Sequence, residues 1–129
     1  GSPSTLYEGC YRRHQCIMIT VQVKRRSDGT IEKITISGHA GSADYGRDLV
    51  CAAVSAISLG TVNAVELLLN VGLPARQGDS GFLEVKVPDD YAPELAEKVQ
   101  LLLEGMIASL YSVAVSHDKY VRIADKLKY

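Results

Sequence analysis

A chain of 129 residues is enough for one domain, and at that length a core can be buried without disulfides or a metal. With 47% hydrophobic and 22% charged residues it reads as globular, and a formal net charge of -1 argues against a general binder of nucleic acid or anionic membrane. Trp is absent and Phe82 is the only Phe, so the core has to come from Val, Ile, Leu and Ala.

Gly1-Ser2 resembles a cloning remnant and Met18 a natural start, which sets residues 1–17 apart as an appended or upstream extension of a domain at 18–129. That extension holds Cys10, His14 and Cys16, leaving Cys51 as the domain's lone cysteine. The donor spacing is unlike that of structural zinc sites, so no metal and no cofactor are expected. No run approaches the roughly 18 consecutive apolar residues of a membrane span, and the first segment lacks the apolar centre of a secretory signal. The expectation is a cytoplasmic protein with no membrane partner.

From Ile17 to Val23 apolar and polar residues alternate, as in a half-buried strand. Ser27-Asp28-Gly29-Thr30 supplies a turn, and Ile31–Ser37 alternates again, so the two strands form a hairpin. Lys24-Arg25-Arg26, beside that turn, reads as a solvated hairpin end. Gly38 to Gly46 has three glycines and no period, and is a loop. Helical periodicity begins near Arg47 and runs to Val71, with Gly72 as the stop and Pro74 blocking continuation. Ala53, Ala56, Gly60 and Ala64 lie along one face of this helix and predict tight core packing there.

Residues 72–81 read as a loop and Phe82–Val87 as a third strand, closed by Pro88. Pro93 opens a second helix, on which Leu95, Val99, Leu102, Met106, Leu110 and Val113 form one apolar stripe. Tyr120–Ala124 is a last short strand. The order ββαβαβ predicts a single two-layer α/β domain: a mixed four-stranded sheet, parallel across its helical crossovers, packed against two helices.

Reactive groups concentrate between Ser37 and Ser58. His39 leaves the second strand, glycines punctuate the loop, and Cys51 lies about one turn into an apolar helix. Free amides at a helix start and a nearby imidazole both favour a thiolate, and the same amides can stabilise an oxyanion. His39 can take the thiol proton and return it to a leaving amine. Asp48 can orient His39 or simply cap the helix. Ser55, one turn beyond Cys51, can hydrogen-bond near the thiol or bond back to its own helix. Against all of this stands the plain reading, a buried structural cysteine in a non-enzymatic assembly or peptide-binding module. His117, beside Asp118, reads as a surface residue.

Gly38-His39-Ala40, Gly46 and Asp48-Leu49-Val50-Cys51-Ala52-Ala53-Val54-Ser55 resemble the signature of the bacterial ribosomal-processing cysteine proteases, and the likeness runs from about Met18 to Ala124. The resemblance implies a Cys51 nucleophile and a His39 base, with Asp48 and Ser55 in support. It implies a mobile substrate loop containing Gly38, Ala40, Gly41 and Gly46. The implied substrate is the N-terminal extension of the large-subunit ribosomal protein numbered twenty-seven, cut after an aromatic residue. A homodimer is implied as well; the expectation of no direct nucleic-acid partner rests on the net charge of -1.

Overall fold

The computed structural model describes residues 18–38, 45–78 and 82–125, with the first four residues of its first helix (45–48) described by backbone alone. The chain runs β1 (Ile19–Arg25), β2 (Ile31–Ser37), α1 (Tyr45–Leu69), β3 (Ala75–Gly78), β4 (Phe82–Lys86), α2 (Pro93–Ser116) and β5 (Val121–Asp125). The two-layer α/β architecture stands, with five strands in place of four.

The strands lie in the order β3-β4-β2-β1-β5. β1 is antiparallel to β2 and parallel to β5; β4 is antiparallel to both β2 and β3. The expected parallel pairing of β2 with β4 is therefore wrong. The added strand β3 reverses the chain before β4 begins, so β4 enters beside β2 in the opposite sense. β4 and β5 do point the same way, but β2 and β1 lie between them.

β3 escapes detection for a physical reason. All four of its residues are exposed, so no buried face imposes a period of two. Ladder bonds to β4 hold it, together with Arg76, whose guanidinium lies 5.3 Å over the Phe82 ring and 3.4 Å from Glu84.

One face of the sheet carries the core. Ile19, Val21, Ile34, Ile36, Leu83, Val85 and Val121 meet Val50, Val54 and Val65 of α1 and Val99, Leu103, Met106, Ile107 and Leu110 of α2 in one continuous cluster. At the hairpin a bulge sets Lys24 opposite Lys33 but Arg25 opposite Ile31, leaving Glu32 as the extra residue. Ile31 and Ile34 thus both point inward, which strict alternation forbids. The ladder break at Ile31 is repaired from α2: Gln100 accepts from the Ile31 N–H at 2.8 Å and donates to its carbonyl at 3.0 Å.

The basic run does not behave as one solvated end. Only Lys24 is exposed. Arg25 turns inward, where Nε and Nη2 donate to Asp125 at 2.9 and 2.8 Å, Nη1 and Nη2 donate to Glu104 at 2.6 and 3.0 Å, and Nη1 donates to the Gly29 carbonyl at 2.9 Å. All five guanidinium N–H groups are used. These hydrogen bonds, to Asp125 first and Glu104 second, push the Arg25 pKa further above its usual value. Arg26 reaches across to the carbonyls of Ile31 and Val87.

α1 ends two residues earlier than expected, and Gly72 is not its stop. Asn70 takes the left-handed conformation with φ 59° and donates its N–H to the Glu66 carbonyl at 2.9 Å, a role in which Asn is second only to Gly. Ser58 occupies a fully buried position on this helix because its hydroxyl donates to the Val54 carbonyl at 2.7 Å.

The small-residue stripe also departs from expectation. Ala56 and Gly60 are exposed, and with Ala64, Leu101 and Gly105 they line an open groove between α1 and α2. A side chain added at Gly60 or Gly105 would meet nothing within 4 Å. Leu101 in this groove, and Leu67, Leu68 and Val115 elsewhere on the two helices, are exposed. Both helices are long and apolar enough, by length and composition alone, to cross a membrane, although Ser55, Ser58, Thr61 and Asn63 interrupt any continuous apolar run in α1. In this fold each turns one stripe to the sheet and leaves an apolar outer face.

Candidate active site

In sequence, the segment that carries His39 leaves the sheet where β2 finishes. Ser37 lies opposite Thr20, Ile19 opposite Val121, and Leu83 opposite Ile36, so the C-terminal end of β2 adjoins the N-terminal ends of β1, β4 and β5. The chain leaves β2 through Gly38 at φ 86°. A side chain there is strained, so glycine is required for the chain to take this exit. His39, Ala40 and Gly41 fall outside the described residues, and each is reached within three residues of that fixed turn.

The chain is described again from Tyr45, where α1 begins. Gly46 is accordingly the second residue of the helix and does not belong to the preceding loop. Asp48 is the fourth; its backbone is helical and its side chain lies outside the described set.

Cys51 is the seventh residue of α1, about 9 Å along the axis from Tyr45. That corrects the placement one turn into the helix. The N–H groups that lack intrahelical partners belong to the first turn of α1, and Cys51 lies beyond that turn. Amides that serve an anion at this site are therefore those of the first turn, approached from the side.

Cys51 is half-buried and is not in a disulfide. Fully buried Val50 and Val54 flank it in sequence and pin this turn of α1 to the core, while Cys51 packs at the core's margin. Ser55 follows one turn later on the same face, also half-buried, and its carbonyl accepts from the Ser58 hydroxyl at 3.4 Å. The helix thus brings Cys51 and Ser55 together on a rigid element.

His117 is exposed at the C-cap of α2, as the sequence suggests. Its carbonyl accepts the N–H groups of Tyr120 and Val121 at 2.9 and 3.2 Å, and the Tyr120 carbonyl accepts from Ile19 at 2.7 Å. Its backbone therefore builds the turn into β5. Among the described residues no three His, Cys, Asp or Glu side chains group to hold a metal ion. The chemistry available is that of one half-exposed thiol on a fixed helix, with an imidazole carried by the segment leaving Gly38.

A sequence profile of the family described as cysteine protease Prp matches residues 18–122. The ribosomal processing cysteine protease Prp of Bacillus subtilis is 36% identical over 116 residues, covering 85% of this chain and 99% of its own. Two crystal structures of the essential ribosomal processing protease Prp of Staphylococcus aureus share the fold. One, in complex with a substrate peptide, superposes with a TM-score of 0.73 at 28% identity over 82% of this chain and 97% of its own. The other, holding a covalently linked product peptide, gives 0.71 at 30% identity over 83% and 98%.

Proposed function

This chain belongs to the cysteine protease Prp family, and from that premise we propose that it trims a ribosomal protein, with Cys51 as nucleophile and His39 as general base. It is a cysteine protease, and a cysteine protease acts through a thiolate. Within the span matched to the family Cys51 is the sole cysteine. That observation carries the proposal of Cys51 as nucleophile and favours it over the reading of Cys51 as mere packing.

The same span holds two histidines, His39 and His117. His117 sits at the C-terminus of α2, in the turn that enters β5. His39 follows directly on Gly38, in the segment that joins β2 to the helix bearing Cys51. This connectivity supports His39 as the base.

In the proposed cycle the Cys51 thiol gives its proton to His39 and the thiolate attacks the scissile carbonyl. The imidazolium then protonates the leaving amine, and a thioester remains on Cys51. Water, deprotonated by the same imidazole, opens that thioester and frees the thiol. First-turn amides of α1 offer donors for the tetrahedral oxyanion. Asp48, in that turn, supports His39, and Ser55 supports the thiol from one turn below. The segment opened by Gly38 and continuing through Ala40 and Gly41 covers the bound peptide.

We assign as substrate the N-terminal extension of the large-subunit ribosomal protein numbered twenty-seven, cut after an aromatic residue, in the cytoplasm where ribosomes are assembled. The S. aureus relative, solved with a substrate peptide and with a covalently linked product peptide, supports peptide chemistry at this fold. We also assign a homodimer. The exposed Leu67, Leu68 and Leu101 on the two helices, with an open groove between those helices, support a second copy covering the helical layer.

Mass spectrometry of a peptide spanning that extension tests the substrate. One cut after an aromatic residue is expected with the native chain and none with Cys51→Ala of unchanged melting behaviour. An uncut peptide, with a general thiol-protease substrate still hydrolysed, overturns the substrate but not the nucleophile.

A further inference from the structure

The helices cover only one face of the sheet, and the other face carries a charge pattern the protease chemistry does not use. Lys24 on β1 lies directly opposite Lys33 on β2, and Lys33 directly opposite Lys86 on β4. Directly opposite residues share a face, so three ammonium groups stand side by side on three adjacent strands spaced about 4.8 Å apart. Like charges in register across a sheet destabilise it. Folding gains nothing from two such pairs in a row.

The same face presents Arg122 on β5 and Arg76 on β3. Two carboxylates oppose these five cations: Glu32, 3.2 Å from Lys24, and Glu84, 4.0 Å from Lys33 and 3.4 Å from Arg76. Lys86 and Arg122 are exposed and make no ion pair among the described residues. Lys24, Lys33 and Arg122 border a broad depression of about 930 Å³, floored in part by Gln22 and Thr35.

We propose that this open face docks the phosphate backbone of structured RNA. A row of three cations on adjacent strands, with the neutral donors Gln22 and Thr35 in the next row along the same two strands, matches a backbone of repeated anions, the donors being placed for phosphate and sugar oxygens. An acidic peptide fits less well. Laid on the flat of a sheet it finds no main-chain partners, which only the edges offer, and its own backbone groups go unpaired. The one aromatic on this face among the described residues is Phe82, beneath Arg76, so the contact is to backbone and not to stacked bases. The whole chain's charge of -1 does not oppose this, because the positive charge is confined to one face. Choosing RNA as the polyanion rests on the ribosomal-protein reading above; the face itself is read from the register.

Fluorescence anisotropy with a labelled 16-base-pair RNA duplex tests it, on the full chain and on the triple variant Lys24→Gln, Lys33→Gln, Lys86→Gln. The native chain is expected to bind with a strong salt dependence. The variant is expected to bind at least tenfold more weakly, its log K against log salt shallower by about 2 to 3. Its melting temperature should be equal or higher, and its cleavage of a short free peptide unchanged. Equal RNA affinity in the variant, no RNA binding by the native chain, or tighter binding to a DNA duplex or to poly-glutamate overturns the proposal. Because binding is read on RNA alone, loss of peptide cleavage in the native chain would strike the protease reading and leave this one standing.

Discussion

At the scale of single residues, the proposed site rests on a glycine as well as on a thiol. Gly38 at φ 86° sets the direction in which the chain leaves β2. Gly38→Ala should cost about 1–2 kcal/mol, the penalty for an L side chain in left-handed backbone, measured by urea unfolding. It should also lower kcat/KM on peptide while leaving the thiol present; full activity with full stability would show that the exit from β2 does not position the base. Asp28 gives a second residue-scale prediction. Its carboxylate accepts from the Thr30 hydroxyl at 2.6 Å and the Thr30 N–H at 2.9 Å, and these bonds, the hydroxyl's first, lower its pKa. A lowered carboxylate contributes stability above its unfolded pKa and loses it as pH falls through the folded value. The gap in unfolding midpoint between the native chain and Asp28→Asn should therefore close as pH drops below about 4. A gap that widens with acid would contradict the assignment.

At the scale of elements, the ion cluster that joins β1, β5 and α2 sets the clearest expectation. The side chain of Asp125 is fully buried, that of Arg25 is 8% exposed and that of Glu104 33% exposed. Arg25→Met strips the guanidinium from a buried carboxylate and should cost about 3–5 kcal/mol in urea unfolding, while Glu104→Gln should cost clearly less. Comparable losses for the two would mean that Arg25 does not hold Asp125. None of this was legible in the chain order, where Lys24-Arg25-Arg26 looks like one solvated run. Lys24 and Arg25 are successive residues of β1 and turn to opposite faces, and the partners at 104 and 125 are too distant in sequence to suggest themselves. Elements with a buried face were legible: β1, β2, β4, β5 and both helices show their periods. β3 buries nothing and shows none. The helix stop at Asn70 was missed because Gly72 and Pro74, two and four residues on, are the stronger statistical signals.

At the scale of the whole molecule, the described residues of a two-layer fold leave two broad surfaces uncovered, one apolar and one basic. The apolar one, the outer face of α1 and α2, should be covered by a second copy. Light scattering coupled to gel filtration should give a dimer, and Leu68→Glu with Leu101→Glu should give a folded monomer; a native monomer would contradict this. The legibility of the candidate site was uneven. Cys51 and Ser55 share a helix face because they are four residues apart, which sequence spacing shows directly. The depth of Cys51 in the helix was misjudged because Gly46, a poor helix former, stands inside α1 and makes its start look later. Family resemblance supplied the roles that spacing alone left open between a reactive thiol and a packed one.

The most direct measurement labels the working thiol. A chloromethyl ketone carrying the substrate's residues up to the aromatic cleavage position is reacted with the native chain and the adduct located by tandem mass spectrometry. The expected result is one adduct, on Cys51, formed far more slowly in His39→Ala and at an unchanged rate in His117→Ala. An adduct on Cys10 or Cys16, or a rate that follows His117 and not His39, would contradict the assignment of this active site.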